Sequence, residues 1–116
     1  MTGTYRPDQL QGIPALSIKQ PWAELILQRR KTIEVRDWTD TYRGPFWLHT
    51  GQKPAEDAAR HFQLTETFKG GFVGLVTLLD IVAFDSARWG QWRSKHLDPG
   101  PFPYHAYAWL LACPFS

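Results

Sequence analysis

The 116 residues hold a single cysteine and a single methionine. A lone Cys113 excludes an internal disulfide and any metal site built from several cysteines. No apolar run approaches the roughly 20 residues that a membrane-spanning helix needs, so no membrane partner is expected. Met1 to Gln11 is polar and lacks the apolar stretch of a secretion signal. Together with the scarcity of cysteine, this points to the cytoplasm. The four histidines, His49, His61, His96 and His105, include no pair at the short spacing of a zinc site. A glycine-rich phosphate loop is missing as well. The expectation is that neither metal nor organic cofactor is needed. Net charge is only +2, too little to announce nucleic-acid binding by itself.

What is present suits one small α+β domain over residues 1–116, with a polar lead-in at 1–12 and no repeat or linker. Aromatic residues reach 15%, with six Trp and seven Phe, enough bulk for a core in a chain of this length. Charge is mildly polarised: Lys19 to Arg43 and Ser86 to Ser116 are each net basic, and Gly44 to Asp85 is net acidic.

Ala15 to Ile18 reads as a short strand. Pro21 suits the first position of a helix over Trp22 to Arg30, in which Trp22, Leu25, Ile26 and Arg29 share a face. Thr32 to Trp38 alternates: Ile33 and Val35 point one way, and Thr32, Glu34, Arg36 and Trp38 the other. Phe46 to His49 is a further strand. A second helix opens at Pro54, with Ala55, Ala58, Ala59 and Phe62 forming a small-residue stripe packed on something bulky. Phe72 to Phe84 is rich in β-branched residues and reads as a central strand buried on both faces. Ser86 to Trp92 fits a short helix or a loop equally well. Tyr104 to Cys113 reads as the last strand. The pattern is that of a small barrel with two or three short flanking helices.

Two segments stand out together, Leu16-Ser17-Ile18-Lys19-Gln20-Pro21-Trp22-Ala23 and Lys31-Thr32-Ile33-Glu34-Val35-Arg36. The first resembles the opening signature of ASCH domains, the activating signal cointegrator homology family of the PUA-like superfamily. The second resembles that family's G-x-K-x-x-E-x-R motif. Tyr42-Arg43-Gly44 before a strand ending in His49, the Gly71 to Asp80 strand and Tyr107-Ala108-Trp109 follow in family order. The resemblance implies a PUA-like β-barrel with a cleft beside the first helix, and a role in RNA, nucleotide or coactivator biology. Two departures stand out. Arg29 replaces the motif's leading glycine, so the helix must exit without one and the cleft rim gains a charge. ASCH domains usually continue into a closing strand beyond the Tyr-Ala-Trp segment, so closure of this barrel is left open.

The motif also has a reading of its own. Glu34 and Arg36 share one strand face, with Cα atoms about 7 Å apart, and Lys31 enters from the helix exit. Such a trio can receive a nucleobase and a phosphate: the carboxylate accepts from an amine or ring N–H, and the cations meet phosphate or carbonyl oxygens. The same trio could be a plain salt-bridge cluster pinning helix to strand. Lys19, Trp38, Arg43 and His49 are expected around the cleft, with Trp38 as a stacking wall. Trp22 and Trp109 are expected in the core, and so, by default, are Trp89 and Trp92 between Arg88 and Arg93.

Three classes of function are compatible. The favoured one is a module binding RNA, a nucleotide or a nucleoside. The second is a small hydrolase. The bacterial acetylcytidine amidohydrolases resemble this chain in a Lys-Thr-x-Thr-x-Arg stretch, but Glu34 stands where their nucleophilic Thr would be, and Thr32 is offset. A ribonuclease would draw its acid and base from Lys31, Glu34, Tyr42 or His49. The third is a protein-interaction adaptor.

Overall fold

The computed structural model describes residues 12–115. The lead-in expected over 1–12 lies, but for Gly12, outside the described residues. Nine elements follow in order: β1 (Ala15–Ser17), α1 (Trp22–Leu27), β2 (Ile33–Arg36), β3 (Gly44–Thr50), α2 (Glu56–His61), β4 (Gly71–Ala83), α3 (Ser86–Gln91), α4 (Arg93–His96) and β5 (Tyr107–Phe115). The α+β class is as expected, with four short helices rather than two or three. The segment that fitted helix or loop equally well is helical: the Asp85 carboxylate accepts from the Arg88 N–H and caps α3, the usual means of satisfying a helix's first free donors.

The strands form one sheet in the order β1-β3-β4-β5-β2. Only the β1–β3 pair is parallel; the other three are antiparallel. β4 is the central strand, as its apolar run suggests. Its register shifts against both β3 and β5, and such bulges let a long strand curl. The expectation of burial on both faces holds only in its middle, at Leu75, Val76 and Leu78; Phe72 and Leu79 are 62% and 57% exposed. A continuous apolar run does not separate a strand covered throughout from one whose ends emerge from the sheet's cover.

The sheet is a half-barrel, since among the described residues β1 and β2 are its unpaired edges. A side chain, not a ladder, crosses between them: Arg36 Nη1 on β2 donates to the Ser17 carbonyl on β1 at 3.3 Å. Helix α1 buries Ala23 and Ile26 against Ile18, Phe46, Leu48, Val76, Leu78, Trp109 and Leu111. A second cluster, Ile33, Phe84, Trp89, Ala106 and Ala108, lies toward α3 and α4.

Helix α1 is three residues shorter than its periodicity predicts because Arg29 turns left-handed, with φ +64°. This is the place of the expected glycine, and the side chain adopts the conformation glycine would take without strain. Ala59 of α2 is buried, and the bulky partner of that stripe is aromatic: Phe62 meets Trp22 edge-on at 5.5 Å.

Candidate functional site

The gap between the sheet edges holds the trio. Lys31 leaves the α1 exit and is only 3% exposed. Its Nζ donates to the His96 carbonyl at 2.6 Å, lies 3.6 Å from Glu34 Oε1, and sits 4.8 Å from the centre of the Trp22 ring. Burial pushes the lysine below its ordinary pKa, and the Glu34 charge opposes that push. Glu34 is 6% exposed. Its other oxygen, Oε2, accepts from Arg36 Nη1 at 3.1 Å. One buried carboxylate thus ties a buried ammonium to a half-buried guanidinium.

Arg36 is the member that keeps capacity to spare. Both of its hydrogen bonds, to Glu34 and to Ser17, are made by Nη1. Nη2 and Nε have no partner among the described residues. A guanidinium presents a planar fork of donors suited to phosphate or carboxylate oxygens, and here one edge of the fork is anchored and the other is open.

Three cavities meet at Trp22. The first, of about 350 Å³, is bounded by Lys31, Glu34 and Arg36 with Asp37, Asp98 and His105. The second, of about 540 Å³, is bounded by Ser17, Lys19, Glu34, Arg36, Gln52 and Lys53. The third, of about 530 Å³, lies between Trp22 and the start of α2, beside Glu56, Asp57 and Asp98. The cleft is therefore polar in two senses. One lobe is basic, with Lys19, Lys53 and Arg36; the other carries the carboxylates Asp37 and Asp98. These volumes are of the size that holds a small organic ligand.

Of the residues named from the sequence, Lys19, Lys31, Glu34 and Arg36 border these cavities. Trp22, expected in the core, packs against it on one side yet borders all three cavities. Trp38 is 40% exposed, edge-on to Trp109 at 4.6 Å, with the Arg36 guanidinium 5.8 Å from its ring. It stands beside the trio but outside the three cavities. Arg43 is elsewhere: it pairs with Asp80 at 3.2 Å and donates to the Asp40 and Tyr42 carbonyls. The Ile81 N–H and Arg43 hold the Asp80 carboxyl below its usual range. Tyr42 donates its hydroxyl to the Pro45 carbonyl. His49 shares a 2.6 Å hydrogen bond, through Nδ1, with the Ser17 hydroxyl. No hydrogen bond to its other ring nitrogen is made among the described residues.

Behind Lys31 lies a smaller, mainly apolar cavity of about 200 Å³, bordered by Ile26, Arg29, Thr32, Val76, Leu111 and Cys113. Two expectations change here. Thr32, the hydroxyl nearest in sequence to an amidohydrolase nucleophile, faces this rear cavity. Arg29 also borders it and reaches toward the Pro114 carbonyl at 3.4 Å, so its charge is added behind the lysine and not to the cleft rim. Among the described residues, no group of three or more His, Cys, Asp or Glu is placed to hold a metal ion, and no helix is long and apolar enough to cross a membrane.

Sequence reasoning missed Ser17, Lys53, Asp37, Asp98 and His105 as cleft residues. Ser17 lies in the segment that carries the resemblance and Asp37 directly follows Arg36; Lys53, Asp98 and His105 carry no local signal, because each is brought in from a distant part of the chain.

With the geometry in view, the comparisons are specific. The family model for the ASCH domain matches residues 16–113. This chain belongs to the ASCH domain family. Over 51 residues, 43% of the chain, it is 37% identical to activating signal cointegrator 1 of Mus musculus. The Homo sapiens protein of the same name matches at the same identity over the same length. In both cases the matched stretch spans 9% of the relative. The half-barrel sheet with its short helices accords with the PUA-like fold that this family implies.

Proposed function

We propose that this ASCH domain binds RNA or a nucleotide in the Trp22 cleft, with Lys31, Glu34 and Arg36 as its floor. One observation carries the reading: a buried carboxylate holds Arg36 by a single nitrogen where it borders an open cavity whose other cations are Lys19 and Lys53. The phosphate falls to the basic lobe. The base falls to the lobe of Asp37 and Asp98, where carboxylates accept from exocyclic amines, beside the Trp22 ring. Family membership, and the relation to proteins named as signal cointegrators, supports a setting in RNA metabolism or coactivator-type regulation. A free nucleoside would fill the acidic lobe alone. The rear placement of Thr32 weighs against acyl transfer by the amidohydrolase route.

Titration of the four mononucleotides and of short single-stranded RNAs, followed by Trp fluorescence, tests the proposal. Arg36→Ala should weaken binding for every base by about tenfold and reduce the salt slope by about one. Glu34→Gln, which removes the charge that anchors Arg36, should also weaken binding for every base. If both variants bind like the parent and lose only thermal stability, the trio is structural and the proposal fails.

A further inference from the structure

On the outer face of the sheet, next to the cleft, stands a group of aromatic rings that the trio does not use. Phe72, at the start of β4, is 62% exposed. Its ring meets His49 edge-on at 5.2 Å and Trp47 at 6.2 Å. Buried Phe46, Leu48 and Thr50 alternate with Trp47 and His49 along β3, so the latter two point away from the core. An exposed phenylalanine propped by two further rings is a poor solvent face and a good stacking surface.

The shelf is continuous with the cleft. Ser17 gives its carbonyl to Arg36, its hydroxyl to His49, and part of its surface to the basic lobe. The turn after β3 makes a second join: Gly51, Gln52 and Lys53 border the basic lobe, and Gly70, just before β4, donates its N–H to the Thr50 and Gly51 carbonyls. Lys19 and Lys53 border the basic lobe that both joins reach, and the one carboxylate bordering it is Glu34, already paired.

We infer that the Phe72 shelf, with Trp47 and His49, is a second subsite that stacks the base flanking the nucleotide held in the cleft, so that the ligand is single-stranded RNA of two or more nucleotides. The inference rests on the cleft reading above and adds length to it. Cations in the lobe that adjoins the shelf suit the phosphate that joins two nucleotides, and stacking on a ring face tolerates any base.

The test compares a mononucleotide with oligouridylates of two to four residues, on the parent, Phe72→Ala and Phe72→Trp. The dinucleotide should bind the parent at least tenfold tighter than the mononucleotide, within the range of one base–aromatic stack. Phe72→Ala should lose that gain and leave mononucleotide binding intact; Phe72→Trp should keep it. Equal affinity for one and two nucleotides, unmoved by Phe72→Ala, overturns the shelf while the cleft stands. No binding of either ligand to the parent overturns the cleft reading and the shelf with it. A concentration-dependent dimer abolished by Phe72→Ala would assign the shelf to a second copy of the chain and also overturn the inference.

Discussion

Two regions of this molecule are built from the same side chains and come to opposite ends. Around Trp22 stand a lysine, an arginine, carboxylates and a histidine. Around Trp89 and its neighbour Trp92 stand Arg93, Asp98, His96 and Lys95, in much the same proportion. In the Trp89 cluster the indole and imidazole donors are used, while Arg93, like Arg36, bonds through Nη1 alone. Trp89 Nε1 donates to the Gly100 carbonyl at 3.0 Å, and Arg93 Nη1 to the Asp98 and Gly100 carbonyls. His96, wholly buried, accepts from the Asp98 N–H at Nδ1 and so donates from Nε2 to the Trp89 carbonyl. Its ring stacks on Trp89 at 4.1 Å. In the Trp22 cleft the same residue types leave Arg36 half-engaged over a cavity. Composition does not distinguish a site from a core, and neither does a half-engaged guanidinium; what differs is that Arg36 borders open cavities.

The sharpest way to break the comparison is to remove one tryptophan. Trp89 is 2% exposed and packs on Phe84, Phe102 and His96. Trp89→Ala should cost about 3–5 kcal/mol, read as a drop in the urea midpoint. Trp22 is half-buried, and its loss should cost less stability while reducing ligand binding more. Equal stability losses from the two would mean that the cleft is as closed as the core.

Lys31 joins the two regions, since its Nζ touches the carbonyl of His96 on one side and Glu34 on the other. Lys31→Ala should therefore act on both, costing about 2–3 kcal/mol through the carboxylate left beside Arg36 alone and weakening nucleotide binding. Denaturation of Lys31→Ala in the double variant with Glu34→Gln separates the parts. Removing both charges should recover much of the stability and none of the binding.

Acid should reach the closed region through His96. Burial is the first cause that pushes its pKa below the ordinary 6.5, with Lys31 and Arg93 adding to the push and the Trp89 carbonyl and Asp98 opposing it. Between the folded value and 6.5 the unfolded chain binds more protons, so stability rises with pH there. The contribution is complete above about 6.5 and is lost as pH falls through the folded value, because a proton on Nδ1 displaces the Asp98 N–H. The melting temperature should decline from pH 7 toward pH 5, with a flatter profile in His96→Asn. An unchanged slope in that variant would remove His96 from the account.

Much of this was legible in the sequence, and what was not has a common cause. The strand β4 shows in its β-branched run, and the trio in its spacing, because both are local. Ser17 meets His49 through a parallel pairing 32 positions away, and Lys31 finds its carbonyl 65 positions away. No periodicity encodes such meetings. Trp22 was read as core because helical spacing says which face packs, not whether the packed side chain also has an open edge. Phe72 was read as buried because its apolar run continues past the edge of the sheet's cover.

The smallest expected effect is at Arg29, where sequence and structure meet most directly. The residue sits at φ +64°, where a Cβ crowds the backbone and glycine does not. Arg29→Gly removes that crowding and also the long contact with Pro114, at 3.4 Å the weaker of the two influences. The variant should gain about 0.5–1 kcal/mol, a rise of a few degrees in melting temperature for a domain of this size. Because Arg29 borders the cavity behind Lys31 and not the cleft, nucleotide affinity and its salt dependence should stay as in the parent. A weaker salt dependence in Arg29→Gly would put the charge of Arg29 within reach of the ligand, and the division between the front and rear of Lys31 would have to be redrawn.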